Sequence, residues 1–422
     1  MNEYDVIIVG AGPSGSTAAA GLAAAGLRTL LLEEKRMPRH KLCGEFVTPE
    51  AFPTLRRLGV LGRMLEAGGQ KLSTLRLVAP GGRFFQASVS DVSTDAPWAL
   101  SISRSEFDRI LMERAREAGA ICLEGIGVRS CLFENERPIG VETVSILGRK
   151  QFTFKAPIIV DASGRNSRLM LDRVQRVGGR PGSRLYAMKA HFTGVEGIGT
   201  QLELYFFPGG YGGLSRVENG LVNLCFIASE KVLKSAGGDR QVVLDRTILR
   251  NPLASERLKN AKLTGKWHST GPLTFGKKRL SAAGIIAAGD ATGMIDPFTG
   301  TGIQMAIRTG EMVCESIIEA EGVPVHDQFD RPSLINHGHT GFISNIVERY
   351  SVKYKEEFAD RMRVASALRR IVFSAAAINL GGRTIPYVPR LGKALLKATR
   401  AGHPIRRSES ESESERLDSF ES

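Results

Sequence analysis

Cysteine, tryptophan and clustered metal ligands are scarce in this chain of 422 residues. Its five cysteines, at positions 43, 122, 131, 225 and 314, are an odd number, widely spread and without a CxxC pair. A disulfide framework, a structural zinc site and an iron–sulfur cluster therefore all lack their ligands. Such cysteine usage fits a reducing compartment, so a cytoplasmic location is expected. Seven histidines are scattered, and no Ser–His–Asp or paired-carboxylate set stands out. Acidic residues number 44 against 57 basic ones, a formal charge of +13. That surplus points to an anionic partner such as nucleic acid, a membrane surface or a phosphate-bearing cofactor. No helix-turn-helix, zinc-finger or RNA-binding fingerprint occurs, so no nucleic-acid partner is expected.

A long apolar run is absent as well. Val6–Leu27 carries no charge, but it is broken by Gly10, Gly12, Pro13, Gly15, Gly21 and Gly26 and preceded by Glu3 and Asp5. A membrane span or signal peptide is excluded on that pattern. Val6–Val9 instead suits a strand buried on both faces, Ser16–Ala25 a buried helix, and Thr29–Leu32 a second strand. Between the first strand and the helix lies Gly10-Ala11-Gly12-Pro13-Ser14-Gly15, a GxGxxG. Glu33 follows Gly15 by eighteen residues at the end of the next strand, as a dinucleotide fingerprint requires. Gly10 permits the tight turn, Gly12 the approach of a pyrophosphate to the helix start, and Gly15 close helix–strand packing. Glu33 would accept from ribose hydroxyls, with Glu34 as the competing candidate.

Ile285-Ile286-Ala287-Ala288-Gly289-Asp290-Ala291-Thr292-Gly293, continuing through Asp296-Pro297-Phe298-Thr299-Gly300-Thr301-Gly302-Ile303, resembles the second FAD motif of the flavoprotein hydroxylase and geranylgeranyl reductase superfamily. Those flavoproteins have a Rossmann domain of the glutathione reductase type. Ile158–Arg168 is similar to the family's strand-then-DGxxSxxR segment, with Ala162 in place of a glycine. Ser103–Asp108 is similar to its Arg-before-F-D helix start. Arg36–Glu45 resembles the P-R-x-K-x-C-G-G loop of geranylgeranyl reductase-like proteins, with Glu45 in place of a glycine, so the local backbone is expected to differ.

The resemblance implies FAD as resident cofactor and NAD(P)H as transient reductant. It assigns Asp290 to the ribityl or pyrophosphate side, Arg104 to the FAD phosphates, and Asp161 to FAD and NAD(P)H. The start of the helix after Gly300 and Gly302 faces the flavin, where a positive helix end favours the reduced anion. Lys35, Arg39, Gly44, Val128, Gly289 and Ile303 complete the implied cofactor contacts, with Pro13 and Ser14 at the first helix start. Cys43 and Tyr211 are the candidate catalytic residues. Cys43 reads either as functional or as a small buried hydrophobe, and Tyr211 either as facing the flavin or as core.

The expected architecture is α/β: a Rossmann-like FAD-binding domain, an inserted mixed or antiparallel β-sheet substrate domain, and a C-terminal helical region. The FAD-binding domain takes 1–80, 100–175 and 280–322, the sheet domain 81–99 and 176–279, the helical region 323–405, and a disordered Ser/Glu tail 406–422. Residues 383–407 hold seven basic residues and no acidic one. They read as a short basic amphipathic helix, either at an anionic membrane surface or packed on the protein. The activity implied is an FAD-dependent oxidoreductase. It reduces carbon–carbon double bonds of an isoprenoid or other lipid-like, hydrophobic small molecule. The alternatives are a monooxygenase of aromatic or polyketide-like substrates and a non-enzymatic flavin-binding protein. A halogenase is set aside because its Trp-x-Trp motif is missing.

Overall fold

The computed structural model describes residues 3–167, 169, 184–273, 275–321 and 340–373, together with 393, 396 and 397. Six strands build the central sheet in the order 281–282, 285–287, 158–161, 6–9, 29–33 and 121–124, parallel except at the first pair. Val6–Val9 lies in the middle and is wholly buried, which is why it reads as an unbroken β-branched run. The helix Pro13–Ala24 follows it and carries small residues because the long helix Gly302–Glu321 crosses it closely. A Cβ on Gly310 would lie 2.2 Å from the Ser14 carbonyl oxygen, and one on Gly21 would lie 2.6 Å from Cys314 Sγ. The expected dinucleotide-binding half of the architecture is thus present, with no membrane span in Val6–Leu27.

A seven-stranded mixed sheet forms a second layer, in the order 262–273, 185–193, 222–229, 210–216, 201–207, 74–78 and 84–88. The strand Thr74–Val78 pairs in parallel with Gln201–Phe207 and antiparallel with Phe84–Ser88. The boundary expected at residue 80 therefore falls inside a hairpin of this sheet. The Leu75 and Val78 side chains are buried in it, and no composition shift at residue 80 announces that pairing.

Side chains alternate across this sheet with period two. Met188, Ala190 and Phe192 face one way, into a core with Tyr205, Leu224 and Phe226 and three short helices over 230–258. Ala187, Lys189 and His191 face the other way. Register extends that second face into cross-strand rows: Tyr211 with Ile227 and Ala187, Gly213 with Cys225, Lys189 and His268, and Ser215 with Asn223 and His191. A buried strand face carrying Lys, His, Asn and Cys is not a hydrophobic core, and it is the face turned to the central sheet's loops.

The helix Thr340–Val372 packs Ile346, Tyr350, Tyr354 and Phe358 at helical spacing against the first layer. Arg308 pairs with Glu357, and Lys353 with Glu315. Among the described residues no helix is long and apolar enough to cross a membrane. Of the basic segment 383–407, Lys393 pairs with Asp91 at 3.0 Å and Leu396 is buried beside Leu72, Leu75 and Phe85. These contacts are those of the packed alternative. The rest of 374–422 lies outside the described residues, the Ser/Glu tail included, as do Arg168 and residues 322–339.

Candidate functional site

The site is built from the turns at the carboxyl ends of the central strands. Gly10 has φ +100°, and a Cβ there would sit 2.6 Å from the Ala162 carbonyl oxygen. A Cβ on Gly15 would sit 1.9 Å from the Gly10 oxygen, whereas one on Gly12 would meet only Lys41 Nζ, 4.0 Å away. The space above Gly12 is therefore the open one. The helix start behind it has Pro13 in its first turn, no acidic residue and no side-chain cap. Its first-turn N–H groups are free to bind an anion.

Glu33 is buried and turns towards this loop. Its Oε2 accepts from the Ala11 N–H at 2.9 Å and from Arg39 at 3.2 Å, and its Oε1 accepts from the Lys35 N–H at 3.0 Å. Glu34 is exposed and packs on Gly127. Of the two acids, Glu33 is the one at the glycine loop. Arg39 continues to Asp108, which also takes a bidentate pair from the buried Arg104 at 2.7 and 2.8 Å. Burial opposes the Arg104 charge, but Asp108 and Cys43 hold its pKa above the ordinary value. Ser103 caps the helix Arg104–Glu117, and Arg104 beside it is buried.

The Asp161 carboxylate accepts within its own turn, from Ser163 N–H at 3.0 Å, Ser163 O–H at 2.6 Å and Ser167 O–H. These bonds shape the turn beneath Gly10. Asp290 differs: among the described residues no group hydrogen-bonds its carboxylate, while Lys41, Arg165 and Lys278 all feel its charge. Gly289 is tied to the long helix by its N–H to Thr309 Oγ1 at 2.9 Å. Burial, then Arg104, pushes the Lys41 pKa down.

Open space at Gly12, free helix-start donors, the cations Arg39, Lys41, Arg104, Arg165 and Lys278, and an unengaged Asp290 suit a diphosphate joined to a polyol. The residues present fit FAD. Gly300, at φ +69° against Phe46, and the open Gly302 start the long helix at the far end of this groove. The Ile303 side chain packs into a core with Phe52 and Phe107; Lys35 is exposed, with its N–H on Glu33, and Val128 is half-buried in the strand Ile126–Glu134. Gly44 is exposed, with nothing within 4 Å of a Cβ.

The turn Cys43–Glu45 joins this groove to the second sheet. Glu45 has φ +56°, a left-handed backbone that glycine adopts without strain. Three partners hold it there: Lys189, His191 Nε2 at 2.7 Å and the Arg104 N–H at 2.7 Å. Burial pushes the Glu45 carboxyl up, but His191 and Lys189 outweigh it and hold it below the usual range. Lys189 also donates to the Lys41 carbonyl at 3.2 Å, and Asn223 to the Cys43 carbonyl at 3.3 Å. Cys43 Sγ accepts from the Glu45 N–H at 3.3 Å; the residue is half-buried and also packs against the core around Phe52 and Phe107. His40 lies 5.5 Å from both the His191 and the His268 ring centres. Burial and then Lys189 lower the His40 and His268 pKa values.

The other end of the groove is apolar. Tyr211, Phe206, Phe298 and Phe373 pack ring to ring, with Leu42, Met294 and Phe275 beside them. Tyr211 is buried and donates to Asp296 at 2.9 Å. Lys41, Lys189, His191, Asn223 and Asp296 carry the site together with the expected residues, and the sequence motifs assigned none of them. The available signal was the alternation Ala187-Met188-Lys189-Ala190-His191-Phe192, which places a lysine and a histidine on one face of an apolar strand.

The family model described as the FAD binding domain matches residues 3–196. Digeranylgeranylglycerophospholipid reductase 2 of Methanopyrus kandleri is 27% identical over 379 residues, covering 87% of this chain and 86% of that protein. A 1H-pyrrole-2-carbonyl-[peptidyl-carrier protein] chlorinase of Pseudomonas fluorescens is 24% identical over 380 residues, covering 83% of this chain and 82% of that protein. The solved structure of a geranylgeranyl bacteriochlorophyll reductase-like protein from Thermoplasma acidophilum superposes with a TM-score of 0.75 at 20% identity, over 99% of this chain and 100% of that one. Relatives of the halogenase type thus occur although Trp98 and Trp267 form no motif; Trp98 stacks on Phe52 and Trp267 packs on Phe192 and Phe226, both away from the groove.

Proposed function

Because the chain belongs to the FAD-dependent oxidoreductase superfamily, we propose that it saturates carbon–carbon double bonds of an isoprenoid or similar lipid-like substrate, with NAD(P)H as the transient electron donor. The observation that carries this is the aromatic end of the groove. Tyr211, Phe206, Phe298 and Phe373, with Leu42 and Met294, offer an apolar wall rather than an array of hydrogen-bonding groups. A prenyl chain is recognised by such a surface through burial alone, at about 25 cal/mol per Å² of apolar area. Relatives named as digeranylgeranylglycerophospholipid reductases support the same substrate class.

When bound, FAD supplies the two-electron chemistry. The chain's own residues do the rest. The Gly10–Gly15 loop, the first helix start and Lys41 would hold the diphosphate, Glu33 the ribose end and Asp290 the ribityl side. The Cys43–Glu45 turn, pinned by Lys189 and His191, would fix the backbone beside the cofactor. The aromatic wall orients the substrate and keeps water out.

The test is product analysis. The purified holoprotein is incubated anaerobically with NADH or NADPH and prenyl lipids, and in parallel with oxygen and aromatic or polyketide-like compounds. Products that gain pairs of hydrogens without oxygen support the reductase. Gain of an oxygen atom only in the aerobic arm would replace it by the monooxygenase, and a halide-dependent product by a halogenase.

A further inference from the structure

A buried carboxyl stands at the aromatic end of the groove, and holding the cofactor does not use it. Asp296 is 4% exposed. It caps the single turn Pro297–Thr299 between the Gly289-Asp290 turn and the long helix. Two donors reach it, and both go to the same oxygen: the Tyr211 O–H at 2.9 Å and the Phe298 N–H at 3.0 Å bond Oδ1. Oδ2 is buried and has no hydrogen-bond partner among the described residues. A carboxylate with one bare oxygen in apolar surroundings is costly, and a neutral carboxylic acid is far less so. With Oδ1 already accepting twice, the acid's proton belongs on Oδ2.

The groups that face Asp296 agree with this. Burial raises its pKa from the ordinary carboxylate value, against the Phe298 N–H, the Tyr211 O–H and Arg369 from the C-terminal helix. Tyr211 is itself pushed well above its ordinary value by burial, then by Asp296, and so stays a neutral donor. Arg369 is also engaged over the Phe275 ring, 5.1 Å from its centre.

We propose that Asp296 is the proton donor that completes saturation of the double bond, with Tyr211 as its positioning residue. The proposal rests on the reductive reading above. Saturating a double bond adds one hydride and one proton. The reduced nicotinamide is the source of the hydride. The Oδ2–H bond of Asp296 breaks, its proton forms the C–H bond at the second carbon, and the electron pair stays on the carboxylate. Water returns the proton after the product leaves.

Asp296→Asn keeps an oxygen for Tyr211 and Phe298 and replaces the acidic O–H by an amide. The variant is expected to fold and to bind FAD, yet to saturate a prenyl lipid about 100-fold more slowly or worse. In the resting wild-type protein, infrared difference spectroscopy against Asp296→Asn should show a protonated carboxyl band at neutral pH. Tyr211→Phe removes a bond that favours the ionised form, so the alkaline limb of the rate profile should move to higher pH; a merely structural role would not move it. Wild-type turnover in Asp296→Asn, or no protonated carboxyl band, overturns the assignment and leaves the reductase standing. Failure of the wild-type protein to saturate any prenyl lipid, with the band present, overturns the reductase instead and the proton-donor role with it.

Discussion

Truncating Glu45 tests whether a buried carboxylate holds the cofactor-side turn against the second sheet. Glu45 and Lys189 are both fully buried. In Glu45→Ala the Lys189 ammonium keeps, among the described residues, only the Lys41 carbonyl, 3.2 Å away, and the Arg104 N–H loses its acceptor. Breaking one partner out of a buried ion pair costs about 3–5 kcal/mol. Alanine also retains the strain of φ +56°, whereas Glu45→Gly relieves it. The glycine variant should therefore be the milder of the two by about 1–2 kcal/mol. Glu45→Gln with Lys189→Met removes both charges at similar volume, and its cost should fall below the sum of the single changes by about 0.5–3 kcal/mol. Urea unfolding followed by Trp267 fluorescence reports on this sheet, because that ring packs on Phe192 and Phe226 within it. The pH dependence has a definite sign. The folded-state pKa of Glu45 is depressed, so its contribution is complete above the unfolded value of about 4.3. It is lost as the pH falls from there through the folded value. Wild type should lose stability more steeply than Glu45→Gln in that acid window. A cost below about 1 kcal/mol for Glu45→Ala, or strict additivity of the pair, would refute the reasoning.

Two further outcomes concern the cofactor. Asp290→Ala should purify with reduced FAD content, because among the described residues nothing competes for that carboxylate; full occupancy, read from the flavin absorbance, would remove it from the cofactor map. Lys41→Met should weaken FAD binding by one charge-assisted contact, about 1.5–3 kcal/mol, or roughly 10- to 150-fold in Kd. Fluorescence titration of the apoprotein at low and high salt measures this, and an unchanged Kd at low salt would show that Lys41 does not meet the diphosphate.

The nucleotide-binding half was legible in the sequence because its constraints are local. Gly10, Gly12 and Gly15 serve a turn, an approach and a packing contact within six residues, and the three clashes or openings at their Cβ positions match that division of labour. The acid at the end of the second strand was legible for the same reason. At Asp161 the motif reports a position and not its partners: Ser163 and Ser167, two and six residues on, bond its carboxylate. The strand Thr74–Val78 was placed in the wrong layer because its partner Gln201–Phe207 lies far along the chain. The meaning of Lys189 and His191 depends on register: only pairing with Asn223, Cys225 and His268 turns a lysine and a histidine on a strand into one polar face.

That face also explains why the reaction was harder to read than the cofactor. One end of it, with Lys189, His191 and Asn223, is committed to Glu45 and the Cys43 turn. It serves cofactor geometry, which reductases, halogenases and monooxygenases all need alike. The other end, around Tyr211, meets Phe298 and Asp296 from the second cofactor motif and Phe373 from the C-terminal helix. In the proposed function substrate choice is made there, by ring packing between three segments remote in sequence, and no short motif records it. The motifs at the polar end thus point to a flavoenzyme, while the proposed substrate preference rests on the apolar end. Substitutions at Phe206, Phe298 or Phe373 should accordingly change which lipid is accepted while flavin content stays constant.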